Sequence, residues 1–287
     1  MYAITGITGQ VGGEVARALL NKGHSIRAVI RDPRKGAAWE NLGCGIALAD
    51  MNDVAALTAA FKTAQGAFIL LPAIFDPSPD FVETRATVTA LRQALDAARP
   101  HKVVCISTIG AQAKQENLLT QLTILEQSLG DLPTPVAFLR PAWFMDNCRW
   151  DIDSARDRGV IDSFLQPLDK PVPMVATTDV GRVAAELLVE NWTGRRIVEL
   201  EGPTRVTPIE IAETFAKIFA HPVRAEAVSR QTWEQIFMSQ GMTHPEPRIQ
   251  MLDGFNEGWI EFEHDESKRL KGRIGLKEAL KKLMHDK

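Results

Sequence analysis

Gly6-Ile7-Thr8-Gly9-Gln10-Val11-Gly12 is the stretch on which the reading of this chain turns. It follows the short β-rich run Tyr2-Ala3-Ile4-Thr5 and leads into Val11, Val15 and Leu19, apolar residues at four-residue spacing before Gly23, a fitting helix C-cap. A strand that passes through three glycines into a helix lets backbone N–H groups at the helix N-terminus approach a pyrophosphate. A plain strand-to-helix turn rarely needs three glycines. By itself the spacing is weak evidence. Its position at the head of an alternating strand and helix pattern gives it weight.

The alternation continues outward. Apolar runs at 25–30, 45–49, 67–71, 103–107 and 136–139 read as strands, with helical patterns at 54–62 and 84–98 between them. Continuous apolar strands separated by helices imply a parallel sheet covered on both faces. With right-handed crossovers, the expected fold is α/β, a Rossmann-type doubly wound parallel sheet with a smaller, mainly helical C-terminal lobe. Residues 1–150 are the expected dinucleotide-binding domain. Past Asn147 the rhythm breaks: 151–158 is charged and 166–173 is rich in proline and loop-like. A helix near 179–190 and a strand near 196–200 read as a return to the sheet, so 175–200 is assigned with the first domain. Thr207-Pro208-Ile209-Glu210 announces another helix, with Thr207 as N-cap and Glu210 closing a capping box. The remainder of 151–287 is read as the substrate-binding lobe.

Composition narrows the function. Of 287 residues, 45% are apolar and 24% charged, an ordinary globular mixture. A net charge of −3 argues against a general nucleic-acid binder. The apolar run at 67–75 is too short to span a bilayer, and the first residues lack a leader's basic start, so no membrane association is expected. Cys44, Cys105 and Cys148 are far apart, with no CxxC or HExxH spacing. Neither a disulfide framework nor a metal site is expected, and a reducing cytoplasm is the expected location.

The second strand ends in Ile30-Arg31-Asp32-Pro33-Arg34-Lys35. A carboxylate at such a tip binds the ribose 2′-hydroxyl of NAD, whereas arginine accommodates the 2′-phosphate of NADP. Arg31 and Lys35 therefore point to NADP(H) over NAD(H), Asp32 points the other way, and Arg34 and Lys35 serve equally well as solvated surface charge.

With these residues in hand, the chain resembles the NmrA-like group of atypical short-chain dehydrogenase/reductases. The resemblance rests on Thr5 to Gly13 and Val29-Ile30-Arg31-Asp32-Pro33. It extends to Ser107-Thr108-Ile109-Gly110, Leu139-Arg140-Pro141, Asp146-Asn147 and Asp179-Val180-Gly181-Arg182. That group contains NADPH-dependent quinone and dye reductases, and also redox-sensing regulators. The resemblance implies cofactor contacts from Gly6, Thr8, Gly9, Gln10, Val11, Gly12, Arg31 and Lys35. It implies Asp50 and Met51 beside the adenine, and Leu71 and Pro72 along the ribose and nicotinamide. Ser107 and Thr108 would face the nicotinamide region, with Pro141 behind the ring. Asp50 would serve equally as a helix N-cap, and Ser107 in a strand-end hydrogen bond.

Ordinary short-chain dehydrogenases reduce carbonyls with a Tyr-xxx-Lys pair, whose tyrosine donates a proton to the developing alkoxide. This chain holds one tyrosine, Tyr2, and its candidate helix carries Leu122 four residues before Glu126. Ser107 and Thr108 remain as catalytic candidates, with Lys114, Thr120 and Gln121 nearby in sequence. Phe75, Trp143, Phe144 and Met145 suit a flat acceptor, or equally a packed core. The expected function is an NADPH-dependent oxidoreductase passing hydride to a quinone-like or conjugated small-molecule acceptor. The alternative is a non-catalytic NADP(H) sensor acting on a protein partner. A third reading is an isomerase or cyclic-ether-type reductase whose acid is His244, Glu246 or His264 in the lobe.

Overall fold

The structure, a computed structural model, describes residues 1–285. Its first half alternates strictly: β1 (Tyr2–Thr5), α1 (Gln10–Leu20), β2 (Ile26–Ile30), α2 (Ala37–Glu40), β3 (Gly45–Leu48), α3 (Val54–Phe61), β4 (Gly66–Ile69), α4 (Val82–Ala98), β5 (Val103–Ile106), α5 (Thr120–Leu129) and β6 (Val136–Pro141). Then come β7 (Trp143–Phe144), α6 (Ile152–Arg158), β8 (Val160–Ser163), β9 (Met174–Val175), α7 (Thr177–Val189) and β10 (Arg195–Glu201). The chain ends with α8 (Pro208–Phe219), β11 (Arg224–Ala227), α9 (Trp233–Ser239), α10 (Glu246–Glu257), β12 (Leu270–Lys271) and α11 (Leu276–His285).

Eight strands form one sheet in the order β12-β10-β6-β5-β4-β1-β2-β3, every pairing parallel. The chain runs outward from β1 to β3, then crosses back to β4 on the other side of β1. That reversal between β1 and β4 is the switch point, where the C-terminal ends of the strands leave a crevice. Ala3, Ile4, Phe68, Ile69, Val103 and Val104 have no exposed surface, as strands covered on both faces require. One core layer packs Ile4, Val15 and Leu19 with Val180 and Ala184 of α7; the other packs Leu57, Phe61, Leu91 and Leu125.

Helix ends follow local chemistry. Gly23, at φ +77°, closes α1 in a Schellman motif: its N–H donates to Leu20 O (2.9 Å) and that of His24 to Leu19 O (3.1 Å). Thr207 and Glu210 form the capping box of α8. Two motifs carried by the resemblance are structural anchors. Asp146 caps α7 by accepting the Thr177 N–H (2.9 Å) and hydroxyl (2.5 Å). At Gly181 α7 crosses α1 so closely that a Cβ would lie 2.3 Å from Glu14 Cβ. Residues 202–265 hold α8–α10 and cover the C-terminal edge, while β11 pairs with β8. The short β12 then returns to the main sheet beside β10. No helix among the described residues is long and apolar enough to cross a membrane. Among the same residues no cluster of three or more His, Cys, Asp or Glu could hold a metal ion.

Candidate functional site

The glycine turn lies at the switch point. Thr5 Oγ1 donates to Phe68 O (3.1 Å) and accepts from Leu70 N (2.9 Å), stitching the ends of β1 and β4 together. Gly6 has φ +62°, and a Cβ there would lie 2.9 Å from Leu70 Cδ2. A Cβ on Gly12 would lie 2.3 Å from Gly6 O. The protein itself therefore demands glycine at both positions. Gly9 is different: it is exposed and extended, and its Cβ would meet only Gly6 O at 3.4 Å, an ordinary contact. Nothing in the polypeptide requires glycine at Gly9, whereas a phosphate seated on the helix end does. Neither a capping side chain nor an acidic residue occupies the first turn of α1, so its positive end stays open. Thr8 and Gln10 are exposed beside it; Val11 and Gly12 are buried and can offer only backbone. A groove runs from Ile7, Thr8, Gly9 and Gln10 to Arg17, Lys35 and Trp39.

At the tip of β2 the conflict over Asp32 disappears. Its carboxylate accepts the Arg34 N–H (3.0 Å) and both Nε (2.9 Å) and Nη2 (2.9 Å) of the Arg34 guanidinium. Those bonds hold the carboxyl below its ordinary range. Asp32 and Arg34 neutralise each other, while Arg31 and Lys35 are exposed and make no ion pair among the described residues. After β3, Asp50 is exposed and accepts Asn52 N–H (2.9 Å) in a local turn; the N-cap of α3 is Asp53 instead. Met51 is half-buried against the α3 side of the core.

Beyond β4 and β5 stand the remaining polar candidates. Leu71 is half-buried and Pro72 exposed; Thr108 and Pro141 are buried. Ser107, 3% exposed, donates its hydroxyl to Glu126 Oε1 (2.5 Å). Arg140 grips the same carboxylate through Nε (2.8 Å) and Nη2 (2.7 Å) and reaches Glu263 through Nη1 (2.7 Å). With its proton donated to Glu126, the Ser107 hydroxyl offers a further partner only its oxygen, as an acceptor. Gln121 is occupied by Thr84, Ile74 O and Leu118 O, Thr120 accepts from Asn117 N, and Lys114 is exposed. In the lobe, His264 leans on Glu199 (3.2 Å), behind Arg140; His244 stands 3.8 Å from Asp76; exposed Glu246 bonds Gln250. None of the three hydrogen-bonds to Ser107 or Thr108.

The aromatic candidates separate. Met145, expected on the acceptor wall, is fully buried, with its methyl 3.0 Å from where a Gly202 Cβ would stand; it belongs to the core. Trp143 is half-buried, edge-to-face on Phe255 at 5.1 Å, and Phe144 packs half-buried on the same core. Phe75 alone of the four is exposed, and it meets Trp150 edge-to-face at 6.5 Å. Sequence reasoning passed over Trp150, although an indole between Arg149 and Asp151 in a charged run is a detectable signal. It also gave no role to Glu126 and Arg140, whose partners include Ser107 and Glu263, or to Arg17 and Trp39, which line the groove beside Gly9.

An all-parallel, doubly wound sheet with a glycine turn at its switch point places the chain among Rossmann-type α/β proteins. More narrowly, it belongs to the NmrA-like family, whose model matches residues 2–265. An NAD(P)H azoreductase from Xenophilus azovorans is 25% identical over 90% of this chain and 85% of its own length. Quinone oxidoreductase 2 of Escherichia coli (strain K12) is 26% identical over 96% of this chain and 94% of its own. Among solved structures, an NADPH-dependent quinone oxidoreductase from Escherichia coli complexed with NADPH superposes with a TM-score of 0.82 at 24% identity, over 99% of this chain and 100% of that one. A Citrobacter sp. triphenylmethane reductase complexed with NADP(H) gives 0.81 at 21% identity, over 98% and 99%.

Proposed function

We propose that this protein is a cytoplasmic NADPH-dependent oxidoreductase that reduces a quinone-like or otherwise conjugated small-molecule acceptor. The observation that carries the reading is the open, uncapped end of α1 over Gly9, with Lys35 on the same groove and Arg31 exposed at the tip of β2, neither in an ion pair among the described residues. NADPH supplies the hydride, from the nicotinamide ring. The backbone at Gly9, Gln10, Val11 and Gly12 binds its pyrophosphate, and Arg31 with Lys35 holds the 2′-phosphate, which selects NADP(H) over NAD(H). Asp50 and Met51 flank the adenine, Leu71 and Pro72 line the ribose side, and Pro141 backs the nicotinamide. Ser107 accepts a hydrogen bond from an N–H or O–H presented at the end of β5, since Glu126 takes its own proton. Trp143 and Phe144 wall the acceptor side, with Phe75 at its rim. Residues 1–150 with 175–200 form the cofactor domain, and the lobe supplies the cover over the acceptor. A conjugated acceptor needs little acid assistance, so orientation provides the rate and solvent the proton.

The test is NADPH oxidation against a panel of quinones, azo dyes and enones, alongside equilibrium binding of NADPH and NADH. Tight NADPH binding with turnover of a conjugated acceptor is expected. Failure to bind NADPH would overturn the reading. The occupied Ser107 hydroxyl favours a second reading, a redox sensor that binds NADP(H) and signals to a protein partner. That reading requires different protease-sensitive surfaces with NADP⁺ and with NADPH, and inactivity across the panel.

A further inference from the structure

Two of the large exposed apolar side chains in the molecule touch each other: Trp150, 66% exposed, and Phe75, 52% exposed. They come from segments 75 residues apart in sequence, one after β4 and one after β7, both at the C-terminal edge of the sheet. Their rings meet at 6.5 Å and an interplanar angle of 83°, forming a right-angled corner. Neither ring is a loose tip. Phe75 stands between Ile74, whose carbonyl accepts from the Gln121 amide (3.0 Å), and Asp76, which accepts the Thr243 N–H (2.8 Å), the Thr243 hydroxyl (2.5 Å) and the His244 N–H (2.7 Å). The same loop begins at Leu70, packed over Gly6. Trp150 closes a 3₁₀ segment (Met145–Asp151) whose start is fixed by Asp146 on α7 and by buried Met145 and Cys148. Single exposed apolar residues are ordinary, but two aromatics held together on anchored loops at the C-terminal edge of the sheet keep a large dry surface ready for a ligand.

Resting on the proposed reductase function, we infer that Phe75 and Trp150 form an aromatic corner that selects acceptors with a second fused ring. A ring under reduction is fixed by the nicotinamide. A second fused ring adds apolar area and a π-face for these two perpendicular rings to pack on, which a monocyclic acceptor lacks. The corner thus acts on acceptor affinity and preference, as a positioning device apart from the hydride transfer.

The experiment compares a naphthoquinone with a monocyclic benzoquinone in steady-state kinetics of the wild type, Trp150→Ala, Phe75→Ala and Trp150→Phe. Binding of both quinones and of NADPH to each protein is measured at equilibrium by calorimetry. Trp150→Ala is expected to raise KM and Kd for the naphthoquinone about tenfold, the size of roughly 1.4 kcal/mol. The rise for the benzoquinone should be about twofold or less, with NADPH affinity unchanged and Trp150→Phe recovering most of the loss. Equal losses for both quinones, or no loss for the naphthoquinone, would overturn the corner. If the wild type reduces neither quinone, the binding arm decides the corner alone: a fall in naphthoquinone affinity in Trp150→Ala supports it and unchanged affinity overturns it.

Discussion

Two single side chains carry the sharpest expectations. Arg31 is exposed and in no ion pair among the described residues, whereas Asp32 is held by Arg34. Losing one charge-assisted phosphate contact costs about 1.5–3 kcal/mol, or roughly ten- to hundredfold in affinity. Arg31→Ala should therefore weaken NADPH by that factor in titration calorimetry and NADH much less. Equal losses would make Arg31 structural. The other is Asp151, whose pKa burial raises to about 7, with the nearby Asp162 carboxylate adding to the effect. Near pH 3 the carboxyl is protonated in both folded and unfolded chains and contributes nothing. As pH rises the unfolded chain ionises first, so stability falls, and the full cost is present above pH 7. Asp151→Asn removes it: Tm should rise at pH 8 by on the order of 5 °C and not change near pH 3. A gain equal at both pH values would show that the effect is packing.

Among the elements, the glycine turn separates folding from binding. Gly12→Ala forces a methyl to 2.3 Å from Gly6 O and should lower Tm markedly. Gly9→Val brings a Cβ only to an ordinary 3.4 Å from Gly6 O, so Tm should hold while NADPH binding, read by fluorescence titration, is lost. The reverse pattern would reassign the pyrophosphate end. β1 to β6 and the caps at Gly23 and Thr207 were legible in the sequence because each is set by residues a few positions apart. β12, two residues long and held in place by β10, carried no periodicity to read. The placement of Phe75, Trp143, Phe144 and Met145 was only partly legible for a similar reason. An apolar run names residues able to face a ligand, but which of them turn inward depends on the partner. Met145 went to the core because Gly202 leaves room for it, and Trp150 faced outward from a charged run. Pairings such as Arg140 with Glu126 and Glu263 join distant segments, and no local pattern announces them.

At the scale of the molecule, those pairings bind the sheet to its cover. Ser107 just past β5, Glu126 on α5, Arg140 on β6 and Glu199 on β10 connect in sequence. Glu199 then accepts the backbone N–H groups of Glu263 (2.7 Å) and His264 (3.0 Å). Further along, buried Glu201 meets Lys271 (2.9 Å) and Arg269 (3.3 Å) at the edge strand β12. The chain after α10 is thereby fastened to the C-terminal edge of the sheet by charge as well as by apolar packing.

That fastening limits how the protein can be re-engineered. Retrofitting a conventional proton-donating dyad would mean Leu122→Tyr with Glu126→Lys, which at the level of sequence is a two-residue edit. Glu126 is the counter-ion of Arg140, and Arg195 stands 3.7 Å from the same carboxylate. Inverting its charge would bury a third cation beside two arginines and release Ser107. Removing one partner of a buried pair already costs about 3–5 kcal/mol, and reversing its sign costs more. The double variant should unfold at much lower denaturant than the wild type, whereas Leu122→Tyr alone should fold, because Leu122 is only half-buried. A stable, fully folded double variant would show the network to be dispensable. Any attempt to install such a dyad on α5 would have to begin by rewiring Arg140.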